Sequence, residues 1–254
     1  MIVEANDLEL RCEVEGPTTA TAVVFIHGLA ACADVWAGQA ARLRSAYRTV
    51  RYDLRSHGRS EAIDAPCTRS DLAADLVGLL DALEIPRAVL VGHSAGGVVA
   101  MQTAVDHPQR VTGLVLVGTA SECNDTTAAW YAKTAETARE AGGESAMRAM
   151  GMKPEGRPAP DGPGMARVTL AMRTLNSDPL TDLLAPLRVP TLIVVGETDF
   201  LGVGGSVILS RAIEGSELEI VAGRGHGIYL EDPDWFAGRL RRFLEERVEA
   251  QVAT

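Results

Sequence analysis

Long apolar runs are absent from this 254-residue chain, and lysine is nearly absent. No stretch approaches the roughly 20 apolar residues that a membrane-spanning helix needs, so we expect no membrane association. Lysine occurs only at Lys133 and Lys153, the net charge is −10, and basic clusters are missing, so a nucleic-acid partner is not expected. The N-terminus has no basic segment followed by an apolar one, which predicts a protein without a signal peptide.

Cysteine and aromatic residues are also scarce. Cys12, Cys32, Cys67 and Cys123 have neither the spacing of a metal site nor that of a disulfide framework, so we expect reduced thiols in a cytoplasmic protein without a bound metal. Aromatic residues make up 4% of the chain, and aliphatic side chains must therefore build the core. The abundance of arginine, alanine and glycine over lysine resembles proteins from GC-rich bacterial genomes.

Short apolar runs alternate with segments of helical periodicity along most of the chain. The predicted strands are Leu8–Val14, Val23–Ile26, Thr49–Tyr52, Val89–Val91, Leu114–Val117, Leu192–Val195 and Leu218–Val221. The predicted helices between and after them are Ala33–Ser45, Arg69–Leu83, Ala95–Asp106, Ser206–Ile213 and Pro233–Val248. This alternation favours an α/β fold in which helices cover both faces of a parallel sheet.

The remaining segment, 119–186, is predicted to be a cap inserted into a core formed by 1–118 and 187–254. Helices are expected at Thr126–Ala141, Glu144–Met150 and Met165–Leu175. Gly151–Gly164 holds four prolines and four glycines, which excludes a regular element there. Five of the seven methionines lie between Met147 and Met172, where they either form an adaptable wall of a substrate pocket or fill gaps in the cap.

The stretch from Val89 to Ala100 places a Gly-x-Ser-x-Gly turn between an apolar run and a helix of small residues. This pattern is typical of a nucleophile elbow, in which a sharp turn exposes the serine hydroxyl. Gly92 and Gly96 would allow the close approach of backbone that the turn needs. We therefore predict Ser94 as the nucleophile and the Ala95 N–H as an oxyanion donor.

A serine nucleophile needs a base, usually a histidine that an acid orients. Of the five histidines, His226 follows a predicted strand within a glycine-rich loop and is the predicted base. The predicted acid is Asp199, which follows another strand, with Glu197 as its rival. The chain order Ser…Asp…His is the one expected when the nucleophile lies on such an elbow.

A second oxyanion donor must come from another loop. His27-Gly28-Leu29 follows the buried run Val23–Ile26, and we predict the Leu29 N–H as this donor, with Ala30 as the alternate. Predicted substrate contacts are Trp36, Trp130 and Met147, although isolated aromatic residues are more often part of a core.

Five segments of the chain, taken together, resemble the α/β-hydrolase superfamily: His27-Gly28-Leu29, Asp53–Ser60, Gly92–Gly97, Val195–Asp199 and Gly225-His226 followed by Glu231-Asp232-Pro233. The resemblance implies a mostly parallel eight-stranded sheet flanked by helices, with a short helical cap. The chain is most similar to small esterases and 3-oxoadipate enol-lactonase-like enzymes of the serine branch, notably at Leu180–Val194.

These features predict a cofactor-independent serine hydrolase that cleaves a small carboxylic ester or lactone through an acyl-enzyme. Alternatives of the same class are a hydrolase that cleaves carbon–carbon bonds of ring-fission products and a perhydrolase. A receptor-like protein that binds its ligand tightly and hydrolyses it slowly is the alternative from another class. The sequence gives no indication of the oligomeric state or of the exact substrate.

Overall fold

The computed structural model describes residues 1–154 and 156–250, and its centre is one eight-stranded sheet. The strands are β1 (Ile2–Ala5), β2 (Leu8–Glu15), β3 (Ala22–Ile26), β4 (Arg48–Tyr52), β5 (Ala88–His93), β6 (Val111–Val117), β7 (Thr191–Gly196) and β8 (Glu217–Val221). Their order across the sheet is β1-β2-β4-β3-β5-β6-β7-β8. β2 pairs antiparallel with β1 and β4, and every other pairing is parallel. The expected α/β architecture with a mostly parallel sheet is confirmed.

Ten α-helices and several short 3₁₀ or π turns are present in the described residues. The helices are α1 (Ala37–Leu43), α2 (Arg69–Ala82), α3 (Ala95–Asp106), α4 (Asp125–Ala141), α5 (Gly143–Ala149), α6 (Gly162–Arg173), α7 (Thr181–Leu184), α8 (Gly204–Ala212), α9 (Ile228–Glu231) and α10 (Pro233–Phe243). The shorter turns are Ala33–Trp36, Pro108–Arg110, Thr174–Asn176 and Leu244–Glu249. None of the helices in the described part of the chain is both long and apolar enough to cross a membrane.

The central strands β3 and β5 are buried along their whole length, because both faces of the sheet are covered. One core lies on each face: α2 and α3 contribute to the first, and α1 and α10 contribute to the second. Alternate residues of each central strand therefore enter different cores, as in Val24 and Phe25. This double burial explains why the central strands appear in the sequence as continuous apolar runs.

Helices α4 to α7 lie between β6 and β7, in the segment that the sequence assigns to the cap. α4 and α6 pack against each other, and a small cluster that includes Ala138, Met147 and Met165 fills the space between the cap helices. The cap helices also contribute to the first core, through residues such as Val168 and Met172.

Two local predictions are wrong. β1 is missing from the predicted strands because only Val3 and Ala5 of its four residues are buried, which leaves too little apolar pattern to detect. Helix α6 begins at Gly162, inside the stretch that was expected to be irregular. Asp161 caps this helix by accepting a hydrogen bond from the Gly164 N–H at 2.7 Å, and proline is compatible with the first turn, where no N–H needs an intrahelical partner.

Candidate active site

Ser94 occupies the turn between β5 and α3, and its backbone is strained, with φ 53° and ψ −118°. The turn is tight because a side chain on Gly92 would place its Cβ 2.3 Å from the Gly96 carbonyl oxygen. The Ser94 N–H donates to the Val117 carbonyl at 2.9 Å, and the Ser94 carbonyl accepts from the Thr119 hydroxyl at 2.8 Å. The surrounding structure thus holds Ser94 in a conformation that L-residues rarely adopt.

Asp199 and His226 form a hydrogen-bonded pair, with 2.9 Å between Asp199 Oδ2 and His226 Nδ1. The Asp199 carboxylate is buried, and its second oxygen accepts from the Leu201 N–H at 2.9 Å. Because a carboxylate can only accept, His226 Nδ1 carries the proton and Nε2 is free to accept one. This is the tautomer that a general base beside a serine needs.

Glu197, the rival acid, lies away from His226. Its side chain is exposed, and its Oε2 accepts from the Gly223 N–H at 2.9 Å. The structure therefore pairs Asp199, and not Glu197, with the histidine. Ser94 and His226 line one cavity, although the Ser94 hydroxyl makes no hydrogen bond to a described residue. Nucleophile–base contacts are often loose until substrate binds.

Two side chains that the sequence analysis did not select hold the His226 loop. The Glu231 carboxylate accepts from the Gly225 N–H at 2.8 Å and from the Gly227 N–H at 3.2 Å, so it clamps both neighbours of His226. His93 Nε2 donates to the His226 carbonyl at 3.0 Å, and the two rings lie 4.5 Å apart. Burial, and then the neighbouring His226, lower the pKa of His93, which keeps its imidazole neutral.

Gly28 brings the loop after β3 against the nucleophile, since a Cβ on Gly28 would lie 3.2 Å from Ser94 Cβ. His27 supports this loop: its Nε2 accepts from the Leu54 N–H at 2.9 Å, and its Nδ1 donates to the Gly28 carbonyl at 2.7 Å. Burial lowers the pKa of His27 to about 3, so the ring is neutral at physiological pH.

The two loops that carry the predicted oxyanion donors both adjoin Ser94. Ala95 is the first residue of α3, where an N–H has no intrahelical acceptor. The Leu29 N–H has no hydrogen-bond partner among the described residues, and Ala30, the alternate donor, has a positive φ of 59°. Their roles in binding an oxyanion remain predictions.

Two cavities meet at Ser94. The larger one, of about 340 Å³, extends from the carboxyl end of β6 under α4 and towards α8. Its lining residues include Val98, Gly118, Thr119, Glu122, Cys123, Asn124, Thr127, Leu175 and Ile208. The smaller one, of about 160 Å³, includes Gly28, Leu29, Val35, Trp130, Met150, Met152, Arg157, Phe200, His226 and Leu230 in its lining. Tyr131 and Leu201 line both cavities.

The prediction of three substrate contacts is corrected for two of them. Trp36 is fully buried in the second core, where its ring stacks on Tyr229 at 3.9 Å and packs against Phe25. Met147 is fully buried among the cap helices. Neither side chain lines the two cavities, whereas Trp130 lines the smaller one. Instead of Met147, two other members of the methionine cluster, Met150 and Met152, line the smaller cavity beside Ser94.

No group of three or more histidine, cysteine, aspartate or glutamate side chains within residues 1–154 and 156–250 is arranged to hold a metal ion. All four cysteines are free thiols, and Cys123 lines the larger cavity.

Comparisons with known proteins agree with this fold. A family described as the alpha/beta hydrolase fold matches residues 21–154, which include the loop after β3 and the Ser94 turn. The 3-oxoadipate enol-lactonase 1 of Acinetobacter baylyi is 27% identical over 259 residues, covering 93% of each chain. The putative carbamate hydrolase RutD of Variovorax paradoxus is 44% identical over 119 residues, which cover 46% of this chain and only 45% of that relative.

Among solved structures, a thermophilic esterase from Thermogutta terrifontis superimposes with a TM-score of 0.85 at 26% identity, covering 97% of this chain and 98% of the esterase. The family match spans more than half of the chain, and the whole fold agrees with that of a solved esterase. This chain belongs to the alpha/beta hydrolase fold family.

Proposed function

We propose that the protein is a serine hydrolase that cleaves a small carboxylic ester or lactone through an acyl-enzyme. The observation that carries this proposal is the buried Asp199–His226 hydrogen bond beside the strained Ser94 turn, with Ser94 and His226 lining one cavity. The family is one of hydrolases, and an enol-lactonase and an esterase are among its relatives along nearly the whole chain.

In the proposed reaction, the Ser94 hydroxyl attacks the carbonyl carbon while His226 Nε2 takes its proton. The Leu29 and Ala95 N–H groups donate to the resulting oxyanion. The carbon–oxygen bond to the alcohol then breaks, and His226 returns the proton to the leaving oxygen. Water attacks the acyl-enzyme with His226 again as base, which releases the acid and restores Ser94. Asp199 holds the histidine tautomer and stabilises the imidazolium.

The test is turnover of p-nitrophenyl esters from acetate to octanoate and of a small lactone, with Ser94→Ala as the control. We expect the wild type to hydrolyse at least one substrate and the variant to lose this activity. An acyl adduct on the Ser94 peptide, detected by mass spectrometry after rapid acid quenching, would identify the intermediate. An aryl carbamate belongs in the panel because one relative is named as a putative carbamate hydrolase.

Failure to hydrolyse any ester or lactone would contradict the proposal. Cleavage of a ring-fission product at a carbon–carbon bond, or formation of a peracid from an ester and peroxide, would then assign the same site to one of the alternative reactions. Tight ligand binding with negligible turnover would instead indicate a receptor-like protein. We place the protein in the cytoplasm, a proposal that its four free thiols support.

A further inference from the structure

We propose that the larger cavity binds the acyl half of the substrate and selects acyl groups that carry a hydroxyl over those that carry a carboxylate. This inference rests on the proposed function, because it names the substrate class of the same site. It is carried by two polar side chains in the cavity wall, Glu122 and Tyr131, which hold hydrogen-bonding groups that no described residue satisfies.

The position of His226 assigns the two halves of the substrate to the two cavities. His226 must reach the leaving oxygen to protonate it, and His226 lines the smaller cavity together with Leu29 of the oxyanion loop. The larger cavity shares Ser94 with the smaller one and runs along Gly118 and Thr119 at the end of β6, and its described lining does not include His226. The alcohol therefore leaves through the smaller cavity, and the acyl group stays in the larger one.

Glu122 is held in place by a relay of hydroxyl groups. The Thr181 hydroxyl donates to Glu122 Oε2 at 2.6 Å, and 2.8 Å separates the Thr181 and Ser121 hydroxyl oxygens. Because a carboxylate can only accept, Thr181 gives its one proton to Glu122 and must accept from Ser121. The relay orients the carboxylate and leaves Oε1 without a hydrogen-bond partner among the described residues, so a ligand in the cavity can donate to it.

Tyr131 supplies the complementary group. Its side chain projects from α4, and the residue is 7% exposed. The hydroxyl makes no hydrogen bond to a described residue, although a buried phenol normally has one. Burial raises the pKa of the Tyr131 phenol, which therefore stays neutral and can donate as well as accept. A substrate hydroxyl matches this pair, because it can donate to Glu122 and accept from Tyr131.

The negative charge of Glu122 disfavours acyl groups that carry a carboxylate. The described lining of the larger cavity contains Glu122 and no arginine or lysine, so a carboxylate on the acyl group would meet a like charge without a cation to offset it. The one cationic side chain in the described lining near Ser94, Arg157, belongs to the smaller cavity instead. Acyl groups that end in a carboxylate are therefore expected to be poor substrates.

The experiment compares four benzyl esters that share one leaving alcohol: butanoate, 3-hydroxybutanoate, 3-aminobutanoate and the monobenzyl ester of succinate. Release of benzyl alcohol gives kcat/KM for each. The variants are Glu122→Gln, which keeps the size and removes the charge, and Tyr131→Phe, which removes only the hydroxyl. Glu136→Gln is the matched control. Glu136 lies on α4 with Tyr131, is exposed and lines neither cavity.

For the wild type we expect kcat/KM for 3-hydroxybutanoate to exceed that for butanoate about tenfold, which corresponds to about 1.4 kcal/mol of additional transition-state stabilisation. The succinate ester should be the slowest. Tyr131→Phe should reduce the hydroxyl preference, and Glu122→Gln should raise the succinate rate relative to butanoate at least about fivefold. This gain cannot result from a damaged fold. Glu136→Gln should reproduce the wild-type ratios.

Equal rates for butanoate and 3-hydroxybutanoate, or succinate discrimination that Glu122→Gln leaves unchanged, would overturn the inference while the proposed function stands. Fastest turnover of 3-aminobutanoate would overturn it in favour of a cationic acyl group. If the folded wild type hydrolyses none of the four esters, the result would instead count against the proposed ester hydrolysis itself.

Discussion

At the scale of single residues, Ser94 combines a chemical role with a conformational cost. Positive φ values disfavour any residue with a Cβ, by about 1–3 kcal/mol where the conformation is sparsely populated. The hydrogen bonds to Val117 and Thr119 hold the backbone there. Glycine tolerates this backbone conformation, whereas alanine does not. Comparing the alanine and glycine variants of Ser94 therefore distinguishes the loss of the hydroxyl, which both share, from the relief of strain, which only glycine gives.

We predict that Ser94→Ala and Ser94→Gly both lose at least about 10³-fold in turnover, because neither has a nucleophile. Ser94→Gly should also be more stable than Ser94→Ala by about 1 kcal/mol, since only glycine relieves the strain at φ 53°. Urea unfolding followed by circular dichroism measures the difference. Equal stability of the two variants would mean that the turn is not strained.

The two candidates for the acid, Glu197 and Asp199, give a second prediction. Asp199→Asn should lower kcat by about 10³–10⁴-fold, because an amide can stabilise the wrong tautomer of His226 and does not stabilise the imidazolium. Glu197→Gln should change kcat by less than about threefold, since Glu197 contacts Gly223 and not the histidine. Steady-state kinetics of both variants on one ester decides between them, and the reverse result would identify Glu197 as the acid.

Residues with a local signature were predictable, and residues defined by long-range packing were not. Ser94 lies in a glycine turn between a strand and a helix, and Asp199 follows a buried strand, so both could be selected from sequence. Trp36 and Met147 could not be placed, because an apolar side chain suits a core and a pocket equally well. Tyr229, which covers Trp36 in the core, is almost 200 residues away in the chain.

At the scale of elements, the glycine-flanked loop that carries His226 depends on the short helix α9 that follows it. Glu231, the last residue of α9, accepts from the N–H groups on both sides of the histidine. The pattern of residues places His226 after a strand but does not reveal this clamp, because a glutamate at a helix end usually faces solvent. The clamp fixes the backbone on which the imidazole is mounted.

We predict that Glu231→Gln lowers kcat about tenfold with little change in KM, because the neutral amide is a weaker acceptor and the imidazole loses its fixed position. Asp234→Asn is the control, since Asp234 is a nearby acidic residue on the surface whose described ion pair is with Arg42. Kinetics on the preferred ester, with thermal unfolding to verify the fold, provides the test. An unchanged kcat would show that the clamp is not needed for catalysis.

The bounds of helices with a strong apolar periodicity were predicted within a few residues. The bounds of elements with a weak periodicity were not. α3 has the predicted bounds, and α4 begins one residue earlier than predicted. The start of α6 depends on a cap from Asp161, which outweighs the local effect of the glycines and Pro163. The cavities of the cap depend on how α4 and α6 pack, and periodicity along one helix does not determine that packing.

At the scale of the whole molecule, three buried histidines couple stability to pH. Burial is the main cause that lowers the pKa values of His27, His57 and His93 in the folded state. Unfolding restores values near 6.5, so below that pH the unfolded chain binds protons that the folded chain does not. This linkage stabilises the fold above pH 6.5 and is lost as the pH falls towards the folded-state pKa values.

We therefore predict that the free energy of unfolding falls between pH 7.5 and pH 5.5. His27, whose pKa is lowered to about 3, contributes a loss on the order of 1 kcal/mol per pH unit below its unfolded pKa, and His57 and His93 act in the same direction. Burial raises the pKa of Asp75, and this shift acts in the opposite direction, because the folded chain then binds a proton above the ordinary carboxyl pKa that the unfolded chain does not. Urea titrations across this window measure the slope, and a flat profile would contradict the linkage.

The overall architecture was largely predictable, because alternating apolar runs and helical segments favour a parallel sheet with helices on both faces. The order of the strands was beyond prediction from sequence, since β3 pairs with both β4 and β5 and no local pattern specifies those partners. Placing the candidate site at one edge required only that the strands be parallel, because their carboxyl ends then lie on the same side.

The three residues of the proposed triad follow β5, β7 and β8, so the site exists only once strands from distant parts of the chain are in register. Strand pairing across such separations is slow to form, because the intervening chain must be ordered first. A partly folded chain that has formed only the central strands lacks His226 beside Ser94, because His226 is placed by the loop that follows β8. During refolding, recovery of turnover should therefore lag behind recovery of the far-ultraviolet circular dichroism signal of the helices and strands, which makes activity a reporter of the last step of assembly.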